Sequence, residues 1–492
     1  MPAWKKALDK GDWPAIEADI LRLARLMASE IMAACLSWHL DRDETRQQGK
    51  ELAQKQGISV QGTRNVRVTL ATGSKIIVRT TYALPQRSKQ RDYRRLPGNR
   101  RPGVRGSYPV LERLGFVHRQ SLLYCQEVAQ AAVLCPSLDI ADRLLSSRGI
   151  EITGKKICNV CVQIGKRMLR QRSTLSSSED DRKRFRGARV IIGIDGGRLR
   201  TRKQKQGRRR KSTGHHGFHS RWREPKMFVI YTFDGKGRCR RDHLPIHDAT
   251  LGNADAVFAL LEKYMLEAGV VEAKEIVFVA DGAHWIWDRI EILSHNLCID
   301  RRKITQVVDF YHACEHISAA LEAIPGLSDS KRKRLYRDLR SFLSQGQIQK
   351  VMQQIRCRMP GKKSLPDAEK ELGYFERYQD HMRYRYFRRR KVPIGSGAIE
   401  SAIRRVINLR LKAPGTFWRE DTAEVFLYLR SQLVSGRWKL CFSNFHRTAL
   451  AGYVCQQKRN APQPPRKGPN SAQSDVTGKR EPWSSWICQS KF

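Results

Sequence analysis

Two apolar runs in this chain end in an aspartate followed by glycine: "IIGIDGG" supplies Asp195 and "IVFVADGA" supplies Asp281. Such runs read as short buried strands. Strand ends in an α/β sheet are where reactive groups are presented, and the glycines let the backbone turn and a bulky ligand come close. A third carboxylate, Glu400, falls in the first turn of the helix that "GSGAIES" opens, where the helix dipole favours negative charge. Oxygen donors from three separate elements can hold two Mg2+ ions, or Mn2+ in their place, roughly 4 Å apart, and that arrangement cleaves phosphodiesters. Taken one at a time, the residues have plain structural roles: an Asp after a strand forms turns, and an early Glu pairs with the helix dipole. The combination on a strongly basic chain points to chemistry.

A second constellation competes. In "FYHACEH" the residues His312, Glu315 and His316 spell H-x-x-E-H, the inverted zinc-protease pattern, which puts two imidazoles one helical turn apart beside a carboxylate. That chemistry needs a third ligand and a peptide cleft, and the sequence identifies neither. The 12 Cys are scattered, with one close pair, Cys158 and Cys161 in "CNVC". Without a second pair or suitably spaced His no zinc site is expected. Both read as half-buried helix residues of a reduced, disulfide-free protein.

The surface chemistry narrows the partners. Among 492 residues, 93 Lys+Arg against 48 Asp+Glu give a net charge of +45, far more than solubility requires. A polyanion accounts for it, because each cation set against a phosphate releases condensed counterions. No apolar run approaches the roughly 18 residues of a spanning helix, and "MPAWKKALDKGDW" lacks the apolar core of a signal peptide. The expectation is DNA rather than membrane, in a cytoplasmic, nucleoid-associated, prokaryotic protein.

The elements that must position the carboxylates follow from periodicity. Residues 14–56 have a helical period suited to packing or pairing. "TRNVRVTL" and "KIIVRTTYAL" alternate about "ATGS" and predict a hairpin over 63–84. The basic "RSKQRDYRRLPGNRRPGVRG" reads as a loop or linker, on phosphates or simply solvated. Residues 119–172 are helical, with Ser137 and Thr153 as candidate caps and "SSRGIE" between them. This is a helix-turn-helix outline that either reads DNA or merely packs. From 188 the texture becomes α/β: "ARVIIGID", then "KMFVIYTFD" and "GRCRRDHLPI" as a hairpin through "GKG", then helix, strand, helix and strand. That order is the order of an RNase H-like fold. The tail from about 456 has a disordered composition.

The blocks "IGIDGGRLRTR", "WREPKMFVIYTFDGKGR", "VADGAHWIW", "DFYHACEH" and "PIGSGAIESAIRRVINLRLKAPGTFWREDTAEVFLYLRSQLVSGRW" together resemble the DDE transposases of bacterial insertion sequences, in particular the ISKra group near the Mutator-like superfamily. The resemblance spans about 188–440. It implies that Asp195, Asp281 and Glu400 are the metal-binding catalytic acids and that 313–392 is a helical insertion. It also matches a C/D-x-x-H motif to Asp309 and His312, which either border the metal site or form a structural hydrogen bond. Related transposases often carry a Cys-rich zinc element after the hairpin; "PQRSKQRDYRRLPGNRRPG" has no Cys.

The expected organisation is therefore an N-terminal helix and hairpin region (1–118), a helix-turn-helix-like DNA-binding region (119–187), an RNase H-like α/β core in two parts (188–312 and 393–455), an all-helical insertion (313–392) and a tail (456–492). Phosphate contacts are expected from Arg198, Arg200, Arg208, Arg209, Arg210 and Lys211 in the loop after Asp195, and from Arg404, Arg405, Arg410 and Lys412 after Glu400. In that loop His215, His216 and His219 read as polar residues, and Trp285, Trp287, Trp418 and Trp438 either stack on bases or fill the core. The expected activity is metal-dependent cleavage at the terminal inverted repeats of the element and strand transfer into target DNA, by a homodimer or larger assembly formed through the N-terminal helices. The rival readings are a structure-selective nuclease or resolvase on the same fold, and a non-catalytic DNA-binding protein descended from a transposase.

Overall fold

The computed structural model describes residues 2–85, 106–172, 177–205, 207, 214, 216–359 and 365–455. The basic stretch 86–105, the loop residues 208–213 and the tail from 456 lie outside them. Within the described residues no helix is long and apolar enough to cross a membrane.

At the N-terminus the helix Trp13–Asp41 starts where Asp12 accepts from Ala15 N, with Pro14 in its first turn. The helical period continues to 56, yet the chain kinks at Arg42, whose ψ of 138° is extended, and restarts as Asp43–Lys55. Strands β1 (Ile58–Thr69) and β2 (Lys75–Pro85) pair antiparallel about the predicted turn, where Gly73 takes the left-handed φ of 87° that a side chain resists. Val66, Val68 and Val78 from this hairpin close a small core with Leu40, Val110, Leu111 and Phe116.

The second, larger core holds a five-stranded sheet. Its chain enters through β3 (Arg189–Gly196), leaves the sheet for β4 (Leu199–Gln204) and β5 (Phe218–Arg223), and returns in β6 (Lys226–Phe233), β7 (Ile246–Thr250), β8 (Glu275–Ala280) and β9 (Ile304–Val308). The order is β7-β6-β3-β8-β9: β6 runs antiparallel to β3, β7 antiparallel to β6, and β8 and β9 parallel to β3. The strands β3, β6 and β8 are apolar almost throughout because both faces are covered. The helices Leu122–Leu134, Leu138–Ser147 and Gly154–Arg170 share this same core through Val128, Leu145, Ile157 and Ile164. Ser137 caps as expected, accepting from Ile140 N at 3.1 Å, whereas Thr153 makes no side-chain cap bond.

Two local expectations fail for physical reasons. The segment "GRCRRDHLPI" is not the strand that follows β6. Asp234 accepts from Lys236 N and Arg238 N and so makes the turn, after which Cys239 bridges Phe233 and Arg240 N donates to Thr232 O at 3.0 Å, but exposed Arg241, Asp242 and His243 then leave the sheet and pairing resumes at Ile246↔Ile230. The strand used instead, "IHDAT", buries an Asp and a His. It can do so because Arg172 forms a buried ion pair with Asp248 and donates to Ala249 O at 2.8 Å, while Glu424 accepts from Leu251 N at 2.7 Å and from the Thr250 hydroxyl at 2.8 Å. Similarly, the loop expected after Asp195 is a two-stranded ribbon, β4 against β5 from Leu199↔Arg223 to Gln204↔Phe218.

His247 of β7 is fully buried, its backbone N–H on the Ser435 hydroxyl at 2.8 Å. Burial, helped by nearby Arg405, depresses its pKa to about 3. The unfolded imidazole takes its proton near pH 6.5 and the folded one does not, so the stability it contributes is complete above that pH and declines as pH falls toward 3. Burial likewise lowers His316 and His381. We expect unfolding midpoints to fall as pH drops below 6.5, by up to about 1.4 kcal/mol per pH unit for each such group. His247→Asn should flatten part of that slope; an unchanged slope in the variant would show that His247 does not carry it.

Candidate active site

Sheet register assembles the site. The parallel pairing Gly193↔Val279 places Asp195 and Asp281 level on neighbouring strands, and Ala280↔Val308 places Asp309 level with Asp281 on the next. Three aspartates thus stand side by side where β3, β8 and β9 end. The Glu400 helix, Gly397–Ile403, lies against β3, and an added Cβ on Gly193 would come within 3.1 Å of Ile399 Cβ. That close approach brings the first turn of the helix down to the aspartate row.

Asp195 is half-buried and accepts from Gly196 N at 2.6 Å. Burial and then the Asp281 charge push its pKa up to about 6; Glu400 adds to the rise, while the Gly196 N–H and His312 oppose it. Asp281 accepts from Ala283 N at 3.0 Å, and its carbonyl accepts from Trp287 Nε1 at 2.6 Å. Glu400 is exposed and folded back to accept from the Ser396 hydroxyl at 2.7 Å. Among the described residues, no three His, Cys, Asp or Glu side chains gather about a single ion position. The donor set nevertheless fits a hard divalent cation: carboxylate oxygens only, on three elements, near enough that their repulsion already favours a proton on one of them.

Asp309 is a different kind of residue. It is 2% exposed. One oxygen accepts from His312 N at 2.8 Å, capping the helix Phe310–Glu322, and the other accepts from Ser396 N at the entrance to the Glu400 helix. Both of its oxygens are therefore taken by backbone, which makes it a positioning group. The Asp309 to His312 contact exists, but through the His312 main chain. The His312 ring instead meets Glu315 at 3.1 Å and stands 4.9 Å from the His316 ring at a right angle. His316 pairs with Glu371 and stacks on Tyr374. The H-x-x-E-H residues are thus satisfied within the helical insertion.

That insertion also supports Asp281 from behind, which sequence reasoning missed. The Tyr374 ring packs so closely on Gly282 that an added Cβ there would overlap it. Tyr378 OH donates to Gly282 O at 3.0 Å, and Trp287 stacks with His381 at 4.9 Å. The Tyr374 hydroxyl is buried without a hydrogen-bond partner, and burial, with the charges of Asp281 and Asp309 beside it, raises its pKa. The only sequence signal was the glycine after Asp281.

The basic residues divide. Arg198, Arg404 and Lys412 are exposed. Arg200 lies over Phe417 and Trp222, 4.8 and 5.6 Å from their ring centres, on the ribbon leaving Asp195. Arg405 is half-buried toward His247. Arg410 was expected on a phosphate, but it is 3% exposed and donates to Ala132 O at 2.9 Å and Pro136 O at 3.3 Å, which ties the Glu400 segment to the helical region before the sheet. Arg208, Arg209, Arg210 and Lys211 fall outside the described residues. Trp287, Trp418 and Trp438 are buried and fill the core rather than meeting bases. Lys166 of the helix-turn-helix outline is engaged with Asp421 at 2.6 Å, while Lys155 and Lys156 are exposed. Cys158 is half-buried as read from the sequence, whereas Cys161 is fully buried, because it faces the core side of its helix with Ile157 and Ile164.

No protein family and no curated protein matches the chain. A solved structure, the Drosophila P element transposase strand transfer complex, is similar over 64% of this chain and 93% of that chain at 9% identity, with a TM-score of 0.29. A likeness of that size carries no argument.

Two substitutions test the geometry. Asp309→Ala strips a charged acceptor from two part-buried backbone N–H groups and should cost roughly 1–3 kcal/mol in denaturant unfolding, with Asp309→Asn recovering part; a loss within about 0.5 kcal/mol would mean the two entrances are held by something else. Gly282→Ala should cost about 1–3 kcal/mol through overlap with the Tyr374 ring. Adding Tyr374→Ala should relieve that cost, and strict additivity of the two would remove the contact from the account.

Proposed function

We propose that this protein is a DNA transposase of the DDE type, with an RNase H-like core whose metal-binding carboxylates are Asp195, Asp281 and Glu400. The observation that carries the reading is the level placement of Asp195 and Asp281 at the ends of adjacent parallel strands with the Glu400 helix laid against them, so that Asp195 feels the charges of both other acids. Supporting it is the strand order β7-β6-β3-β8-β9, with the first strand central and β6 alone running against the other four. The net charge of +45 supplies the affinity for a polyanion.

In this reading Asp195, Asp281 and Glu400 would hold Mg2+, which would supply Lewis acidity at the scissile phosphate. The chain does the rest. Arg198, three residues after Asp195, and Arg404 and Lys412, after Glu400, are exposed and hold the flanking phosphates, and the β4–β5 ribbon extends that grip away from Asp195. A ribbon of two strands has the width to enter a major groove. Asp309 keeps the Glu400 helix in place while Glu400 turns from Ser396 toward Asp195. Water attack at the end of the element frees a 3′-hydroxyl, and that hydroxyl attacks a target phosphodiester in a second displacement at the same carboxylates. The ISKra-like blocks make the terminal inverted repeats of an insertion sequence the expected substrate.

The test is a cleavage and joining assay on labelled DNA carrying the element's ends, with Mg2+ or Mn2+, comparing wild type with Asp195→Ala, Asp281→Ala and Glu400→Ala. End-specific nicks and joined products are expected, falling at least 100-fold in each variant. Cutting of branched DNA without end preference or joining would make it a structure-selective nuclease. DNA binding with no cleavage in any of the four proteins would leave a binding protein on an unused fold.

A further inference from the structure

The helix Trp13–Asp41 uses one face and, among the described residues, leaves the other bare. Toward the hairpin, the Ser29 hydroxyl bonds Thr72 at 2.8 Å and Ser74 at 2.7 Å, Met32 and Leu36 pack on the small core, and Leu40 is buried. On the opposite side stand Trp13, Ile20, Ala24, Met27, Ile31, Ala34 and Trp38, every one exposed. From Ile20 onward their spacing is four, three, four, three and four, and Trp13 lies seven residues before Ile20. That is an unbroken heptad seam with d positions at 13, 20, 27 and 34 and a positions at 24, 31 and 38; the one charged member of the register is Glu17. Leu21 and Leu23 flank the seam and widen it.

We infer that this seam is a dimerisation surface whose occupant is the same helix of a second copy of this chain. A period of 3.5 residues, rather than 3.6, is what a helix needs to keep one stripe against another helix along its length. A two-fold pairing makes such a stripe complementary to itself. The area agrees. Trp13, Ile20, Leu21, Leu23, Met27, Ile31 and Trp38 are each between 38% and 67% exposed; together they present on the order of 800 Å2, about what each partner gives to a stable complex of standard size, and more than the patches of roughly 300–600 Å2 usual on monomers. The polyanion that the rest of the surface attracts has no use for an apolar stripe. Nothing in this inference depends on the proposed chemistry.

Sedimentation equilibrium of the full chain, free of nucleic acid, tests it. Twice the chain mass of 56.7 kDa is expected. Met27→Glu with Ile31→Glu should give a monomer whose far-UV circular dichroism and thermal midpoint match wild type, since both side chains are exposed and support no packing within the chain. Ile292→Glu, at an exposed apolar position on another helix, should leave the dimer intact. In the opposite direction, Ala24→Leu with Ala34→Leu fills two knob positions and should tighten association at least tenfold. A wild-type monomer overturns the inference, as does a dimer indifferent to both pairs of substitutions. A monomer that floats with anionic vesicles would assign the seam to a lipid surface, and a monomer with slow amide exchange over 13–38 would assign it to another segment of its own chain; either result overturns it too.

Discussion

A single buried carboxylate, Asp309, spans the break that a long helical insertion opens in this fold. The insertion leaves the sheet at the end of β9 and returns just before the Glu400 helix, so two chain ends more than 80 residues apart in sequence must meet again in fixed geometry. Asp309 accepts one backbone N–H from each, His312 on the way out and Ser396 on the way back. Phe310 N donates to Ile394 O at 2.9 Å and closes the same gap a second time. A charged acceptor shared by two part-buried amides is strong because the low dielectric around it penalises any arrangement that leaves either amide unpaired. The placement of Glu400 beside Asp195 depends on that closure.

The insertion contributes more than a loop to be closed. It delivers Tyr374 onto the backbone of Gly282, Tyr378 onto the Gly282 carbonyl and Tyr384 OH onto the Val308 carbonyl at 3.1 Å. These contacts brace the ends of β8 and β9 beside the carboxylates, where the Tyr374 hydroxyl feels the charges of Asp281 and Asp309. On the far side of the sheet the edge strand β7 is held by charge instead. Arg172, buried, joins Asp248 of β7 to Glu424 of the helix Glu420–Val434, and such a network stabilises only while every member keeps its partner. One edge is thus secured by aromatic packing and the other by paired ions.

How much of this was legible in the sequence follows from where the determinants sit. β3, β6 and β8 are covered on both faces, so they are written as unbroken apolar runs that stop at Asp195, Asp234 and Asp281. The β1–β2 hairpin alternates because one of its faces is wet, and the ends of helices show in local capping, as at Ser137. What stayed hidden needed a distant partner. "IHDAT" reads as polar until Arg172 and Glu424 arrive from elsewhere. Arg410 looks like a surface cation until Ala132 and Pro136 offer it their carbonyls. His312 and His316 look like metal ligands until Glu315 and Glu371 claim them. In each case local composition was right about chemical type and silent about the partner, because the partner is set by tertiary contact.

The two halves of the chain divide their tasks by surface chemistry. The sheet and its helices bury their apolar residues and face solvent with Arg and Lys around a row of acids, an arrangement in which cationic and anionic groups are kept apart by the register of three parallel strands. That separation matters physically: acids left beside arginines would be neutralised by ion pairs, as Asp421 is by Lys166, and would have no charge left for a cation. Asp195 instead feels the charges of Asp281 and Glu400, and none of the three forms an ion pair among the described residues. The N-terminal helix has the reverse pattern, an apolar stripe on a basic protein, placed on a separate small core where a protein partner can reach it without crossing the cationic surface. The apolar stripe and the row of acids therefore lie on different elements of one chain, the first packed on the small core with the hairpin and the second at the ends of the five-stranded sheet.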